Sequence, residues 1–287
     1  MYDFPDKVFL NGAILATSEA KVSVFDRGFL FGDGVYEVMT CYRGQIFCKE
    51  THFQRLYESL KKINLSFAMD GIHEPLDDLL QACDLDDKDC MIYLQITRGV
   101  APRKHAFPKN TMPTLMMYAL PFSGLEVNQT PMHVVQLPDY RWHRCDIKMT
   151  SLLGNVMSHA NAKEQNAHEA ILVRNGVVTE ASHSNVFFVR DDLLYTHPAN
   201  ELILNGITRQ VVIRLCKELK LKVREEAVGK AEALQMDEAF LTGTTTRIAS
   251  IKQMDAHLFY QGDEAGTVTK ALQEAFLNFQ FDSSRVK

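Results

Sequence analysis

Lys148 closes the run Arg144-Cys145-Asp146-Ile147-Lys148 and stands just ahead of a segment with helical spacing, Leu152 to His168. A primary amine can bond covalently to a carbonyl carbon once burial or nearby positive charge favours its neutral form against an ordinary lysine pKa of about 10.4. Arg144 is near enough in sequence to supply such charge. Most lysines are solvated surface groups, so a chemical reading of Lys148 depends on the partners that the rest of the chain provides.

Two glycine-led turns have the composition of an anion cradle. Asn205-Gly206-Ile207-Thr208 opens a helix, whose first N–H groups lack intrahelical acceptors and favour an anion. Gly243-Thr244-Thr245-Thr246 follows a strand and offers further amide and hydroxyl donors. Gly-Thr turns also simply cap helices and end strands. Joined by an arginine, the two would bind a dianion, each charge-assisted hydrogen bond contributing about 1.5–3 kcal/mol. Arg55 lies beside the apolar stripe of a helix, where a solvated arginine is the plainer reading. Glu180 has apolar or small neighbours, so alternation does not decide which face of its strand it occupies. Facing outward it is ordinary; facing inward it would hold a pyridine nitrogen protonated, which strengthens the ring as an electron sink. An amine, a ring-nitrogen carboxylate and a phosphate cradle are what pyridoxal phosphate requires. A fourth candidate is the basic loop Arg98-Gly99-Val100-Ala101-Pro102-Arg103-Lys104-His105, which suits either an anion or an unremarkable surface position.

The elements that must hold these groups can be read from spacing. Asn11-Gly12 and Asn175-Gly176 mark hairpins, because both residue types accept the positive φ of a two-residue turn. Residues 34–42 turn at Arg43-Gly44 into 45–48, and Lys49 to Asn64 follows as a helix with Phe53, Leu56, Tyr57, Leu60 and Ile63 on its apolar face. Pro75 to Ala82 predicts a short helix; Met91 to Thr97 and Thr114 to Leu120 predict strands. Met132 to Lys148 reads as one extended run, and the helix after it carries Leu153, Val156, Met157 and Ala160 on one face. Residues 169–174, 177–181, 185–189 and 193–196 form a meander. A helix from Ile207 to Leu221 turns Val211, Val212, Leu215, Cys216 and Leu219 inward; a strand from Glu238 to Thr242 and a terminal helix from Thr267 to Phe279 complete the chain. Pro121 to Pro131 has the proline-bounded polar character of a linker, which places an N-terminal domain at 1–120, the linker at 121–131 and a C-terminal domain at 132–287.

Composition narrows the class. With 287 residues, 46% of them hydrophobic, the chain can build two cores, while a net charge of -5 without a basic tract argues against a nucleic-acid partner. Six scattered cysteines contain no Cys-x-x-Cys pair and ten histidines no His-Glu-x-x-His helix, so no metal site is expected. No apolar run approaches the roughly 18 residues that span a bilayer, and the first residues lack signal-peptide layout, from which a cytoplasmic protein without membrane contact is expected.

Phe31-Gly32-Asp33-Gly34-Val35-Tyr36-Glu37, Arg55-Leu56-Tyr57, Cys145-Asp146-Ile147-Lys148, Val178-Thr179-Glu180, Ser184-Asn185-Val186-Phe187 and Gly206-Ile207-Thr208-Arg209 together resemble the fold-type IV pyridoxal-phosphate enzymes over nearly the whole chain. That family includes D-amino acid and branched-chain aminotransferases and aminodeoxychorismate lyase. The resemblance implies an α+β two-domain fold, with a smaller N-terminal α/β domain and a larger C-terminal domain built on a β-barrel-like sheet. It also implies pyridoxal 5'-phosphate as cofactor. By position, Lys148 becomes the Schiff-base lysine and proton carrier, Glu180 the partner of the pyridine nitrogen, and Arg55, Ile207, Thr208 and Thr244 phosphate ligands, with Gly243, Ser182 and Ser184 close by. Arg103-Lys104-His105 looks like the Arg-x-His element with which D-amino acid aminotransferases hold the substrate carboxylate, together with Tyr36; Trp142 and Leu204 match pocket residues. In those enzymes that loop reaches into a neighbouring subunit, which implies a homodimer acting on small amino acids and 2-oxo acids. Two positions depart from close relatives: Arg247 replaces an acidic residue and His183 a small hydroxyl residue.

Overall fold

The computed structural model describes residues 4–122, 130–262 and 264–281. Most of the expected linker, 123–129, lies outside the described residues. The chain forms two compact units: described residues up to 122 plus Ile147–Ser151 make one, and the remainder make the other.

In the first unit, β1 (Lys7–Leu10), β2 (Ala13–Ala16), β3 (Gly34–Tyr42), β4 (Gln45–Ile46), β5 (Cys90–Thr97) and β6 (Thr114–Pro121) form an antiparallel sheet in the order β2-β1-β6-β5-β3-β4. Helices α1 (Arg27–Phe31), α2 (Lys49–Lys62) and α3 (His73–Ala82) accompany it. Alternation along β3 and β5 sends Val35, Met39, Ile92, Leu94 and Ile96 into one core with Leu56 and Leu60 of α2 and Leu76 and Leu79 of α3. Tyr57, expected inward, is 46% exposed. The opposite face of the sheet carries a row of aromatic rings, Tyr36 on Tyr93 at 5.6 Å and Tyr93 on Tyr118 at 5.1 Å.

The run expected to stay extended from Met132 to Lys148 is a strand only over β7 (Met132–Pro138). Ile147–Ser151, expected in the C-terminal domain, belongs to the first unit instead. Backbone bonding explains this. β4 is so short that it leaves the start of β3 with unpaired groups, and this segment takes them: Tyr36 N–H donates to the Lys148 carbonyl at 3.0 Å and Thr150 N–H to the Gly34 carbonyl at 3.0 Å.

The second unit contains β7, α4 (Leu153–Glu164), β8 (Glu169–Arg174), β9 (Val177–Ala181), β10 (Asn185–Arg190), β11 (Leu193–Thr196), α5 (Ile207–Glu218), β12 (Lys222–Glu225), β13 (Glu238–Gly243), β14 (Arg247–Met254), β15 (His257–Leu258) and α6 (Thr267–Gln280). Its sheet runs β12-β11-β10-β13-β14-β7-β8-β9, with β15 on β14. β9 and β10 are far apart along that path, yet they meet at the 182–184 turn, where Ala181 N–H donates to the Ser184 carbonyl at 2.7 Å. The sheet therefore curls on itself around Val134, Ile171, Val178, Val186, Phe188, Leu241 and Ile251. Two helix faces differ from expectation. Leu153, Val156 and Met157 of α4 are 71%, 59% and 64% exposed, because the helix packs through Ser158 and Ala162. Leu219, beyond the end of α5, is 41% exposed, whereas Val211, Val212, Leu215 and Cys216 are buried as expected.

Candidate active site

In the first unit, the half-buried Lys148 extends over Tyr36, its Nζ 4.2 Å from the ring centroid. Its backbone is tied at both ends, since Lys148 N–H donates to Ser59 Oγ at 3.3 Å and its carbonyl accepts from Tyr36. Arg144, expected to lend positive charge to the lysine, spends its Nε and Nη2 on Asp146 at 2.9 and 3.2 Å.

Arg55 is not a solvated arginine. Its Nε and Nη2 both donate to the fully buried Glu37 at 2.7 Å, and His52 Nδ1 lies 2.8 Å from the same carboxylate. Burial alone would raise the Glu37 pKa, but Arg55 and His52 outweigh it and hold the carboxyl down to about 2. Burial, partly countered by Glu37, lowers the His52 pKa. Glu37 thus fixes the guanidinium with a bidentate grip and leaves Nη1 as the edge that Arg55 can offer to an anion.

Arg103 and His105 are exposed on the 101–113 loop, and both gather on one ring: the Arg103 guanidinium is 5.2 Å and the His105 ring 5.7 Å from the centroid of Phe31.

The second unit holds Glu180, which faces inward. It is 5% exposed and accepts from Arg141 Nη1, from Asn185 Nδ2 at 2.9 Å and from Leu204 N–H at 3.1 Å. Burial drives its pKa up to about 7 against the charge and hydrogen bond of Arg141 and the Leu204 amide. Asp139 binds Arg141 on its other side, through Nε and Nη2 at 2.9 Å each. Trp142 is 49% exposed; its carbonyl accepts from Cys145 Sγ and from Arg174 Nη2.

The glycine-led turns surround the Glu180 end of this unit. The Leu204 carbonyl accepts from Asn185 Nδ2 at 2.8 Å, and Gly206 then caps α5, whose first residues Ile207 and Thr208 are buried. A Cβ at Gly206 would meet Asn185 Oδ1 at 2.2 Å, so only glycine lets the helix begin this close to the Glu180 network. Gly243 ends β13 with Ser184 Oγ and Thr246 Oγ1 each 3.3 Å from where its Cβ would be, and Thr244 follows in the turn. Arg247, the departure next to that turn, is buried with a left-handed backbone, φ 55°.

Ser182 and Ser184 both point to Glu169, at 3.3 and 3.1 Å, and His183 adds its amide at 2.7 Å and its Nδ1 at 3.1 Å. Burial raises the Glu169 pKa to about 7 despite these donors. Spacing gave no hint of the partnerships of Glu169, Arg141, His52 and Glu37, because each joins residues far apart in sequence that only the folded packing brings together.

These carboxyls have opposite linkage to pH. Glu37 is depressed in the native state, so its stabilisation is complete above the ordinary value of 4.5 and is lost as pH falls through about 2. Glu169 and Glu180 are raised, so the native state holds protons that the unfolded chain releases, and stability declines as pH climbs from 4.5 to about 7. Glu169→Gln should remove about half of that decline, read as melting temperature against pH; an unaltered slope would contradict the assignment.

Among known proteins, the amino-transferase class IV family model matches residues 34–254. The chain is 42% identical over 276 residues to a D-alanine aminotransferase of Bacillus licheniformis, covering 95% of this chain and 96% of that one. A D-alanine aminotransferase of Staphylococcus epidermidis is 36% identical over 277 residues, with 94% and 96% covered. In structure the chain is similar to a branched-chain aminotransferase of Thermoproteus uzoniensis crystallised with norvaline, with a TM-score of 0.89 and 24% identity over 98% of this chain and 97% of that one. At that identity the likeness concerns the fold.

Proposed function

The chain belongs to the class IV aminotransferases, pyridoxal-phosphate enzymes that transaminate, and we propose that it moves the amino group of a D-amino acid such as D-alanine to a 2-oxo acid such as 2-oxoglutarate. What supports the D-amino acid reading is the pair Arg103 and His105, presented together on Phe31 as two donors for a substrate α-carboxylate, to which Tyr36 would add its hydroxyl.

The second unit's own residues fit the cofactor. It offers a buried carboxyl near pKa 7, a helix start that tolerates only glycine ahead of it, and a second glycine turn lined by hydroxyls. When bound, pyridoxal phosphate supplies an electron sink for the carbon that loses its proton. Lys148 would hold the cofactor's aldehyde carbon, then, once displaced by substrate, take the Cα proton and deliver it to C4′. Glu180, kept in place by Asn185, Leu204 and Arg141, would share a proton with the ring nitrogen; its raised pKa suits a group that must exchange that proton at neutral pH. Arg55 through Nη1, the first amides of α5 at Ile207 and Thr208, and the Gly243-Thr244 turn would bind the phosphate, with Ser184 supporting that turn through Thr246 and Ser182 close by in sequence. Trp142 and Leu204 would border the substrate pocket. Lys148 acts twice, on donor and then on acceptor, so initial rates should give the parallel double-reciprocal lines of ping-pong kinetics.

Parallel assays with D-alanine, L-leucine and aminodeoxychorismate test the reading. Turnover of D-alanine with 2-oxoglutarate supports it. Preference for L-leucine would make the enzyme a branched-chain aminotransferase, and pyruvate release without an amino acceptor a lyase. Arg103→Leu should raise KM about ten-fold for D-alanine and D-glutamate alike, as loss of one charge-assisted hydrogen bond to a shared carboxylate requires. An unchanged KM would remove the ground for the D-amino acid reading. The same proposal includes a homodimer in the cytoplasm, checked by sedimentation and by fractionation of cells. Among the described residues no helix is long and apolar enough to cross a membrane, and no cluster of three or more His, Cys, Asp or Glu could hold a metal.

A further inference from the structure

We infer that Phe31 is a positioning residue for Arg103 and His105, an aromatic platform that sets the carboxylate-holding loop in place; this rests on the reading of that pair given above. Phe31 ends α1, one turn after Arg27, and the two touch: the Arg27 guanidinium lies 4.6 Å from the Phe31 centroid. Arg103 lies 5.2 Å from the same centroid and His105 5.7 Å. Two guanidiniums and an imidazole therefore share one ring.

The loop is held at its backbone from the same source. Arg27, 3% exposed, donates through Nη1 to the Lys104 carbonyl at 2.6 Å, between the two functional side chains, and through Nε to Asp33 at 2.7 Å. Arg98 binds the same Asp33 at 2.8 and 3.0 Å, donates to the carbonyls of Ile63 and Asn64, and stacks 3.8 Å from the centroid of Phe107 further along the loop. Asp33 thus faces two buried arginines, Arg27 and Arg98. Among the described residues Arg103 has no carboxylate partner. Its attraction here is to the negative face of the Phe31 ring. A ring contact uses none of the guanidinium's N–H donors in a hydrogen bond, whereas a carboxylate partner would compete with substrate for them.

Kinetics of the holoenzyme test this. Phe31→Leu keeps apolar bulk but removes the ring's quadrupole. It should raise KM about five-fold for D-alanine and 2-oxoglutarate alike, roughly 1 kcal/mol at about 1.4 kcal/mol per decade, with kcat within about two-fold. Phe31→Tyr keeps the ring and should leave KM near wild type, whereas bulk packing alone predicts no rise in Phe31→Leu. In the Arg103→Leu background, Phe31→Leu should add less than its full rise, because the part of its effect that runs through Arg103 is already gone and only the His105 part is left. If Leu at this position does not fold, Phe31→Met carries the same expectation. A raised KM in Arg103→Leu with none in Phe31→Leu would overturn the platform and leave the carboxylate reading standing. Equal, additive rises would also overturn it. An unchanged KM in Arg103→Leu would overturn both.

Discussion

Lys148→Ala should leave a folded protein that turns over at least about 10³-fold more slowly, since the proposed reaction assigns to Lys148 the proton transfer of both half-reactions. Folding is expected to survive because the segment is held through its backbone, by Ser59 Oγ and Tyr36 N–H, not through the amine. The side chain's own contact is with the Tyr36 ring at 4.2 Å, worth about 0.5–1 kcal/mol at a partly exposed site. The melting temperature should therefore fall by only a few degrees while the visible absorption of the cofactor-bound enzyme disappears. Turnover within about ten-fold of wild type would remove Lys148 from the centre of the account.

Glu180→Gln is the second large effect. Glutamine keeps the volume and can still accept from Asn185 Nδ2 and Leu204 N–H, but it cannot hold a proton at a ring nitrogen. Loss of one preorganised charge aimed at the reacting group costs about 10²–10³ in kcat. Stability should change by a smaller factor than activity. The cost of burying the Glu180 charge is relieved and Asp139, which Arg141 shares with Arg174 at 3.1 Å, still pairs with Arg141, while the glutamine NH2 turned to Arg141 Nη1 offsets part of that relief. Full activity in Glu180→Gln would mean that the carboxyl serves only Arg141. Severe unfolding would mean that Asp139 does not carry the arginine alone.

How far the sequence could be read follows from which interactions are local. Asn11-Gly12 and Asn175-Gly176 revealed their hairpins because their backbones need positive φ, and the structure has 49° and 97° at the first pair, 52° and 81° at the second. The fold class, a smaller α/β unit and a larger one on a curled barrel-like sheet, agrees with its class IV relatives. Helix faces were less legible: Leu153, Val156 and Met157 share a face by spacing, yet spacing does not say what that face meets. β14 went unread because it begins at buried Arg247 with a left-handed backbone, which looks like the continuation of the Gly243 turn. Hydrogen-bond partners were least legible of all. Glu180 and Arg141 are 39 residues apart, and Arg55 meets Glu37 because α2 packs on the core face of β3. Only the folded register decides such pairs.

Incubation of the purified chain with pyridoxal 5'-phosphate, borohydride reduction and peptide mass mapping tests the central claim most directly. The account predicts a stable phosphopyridoxyl group on the peptide bearing Lys148. Recovery of that group on a different lysine, or on none, would contradict it.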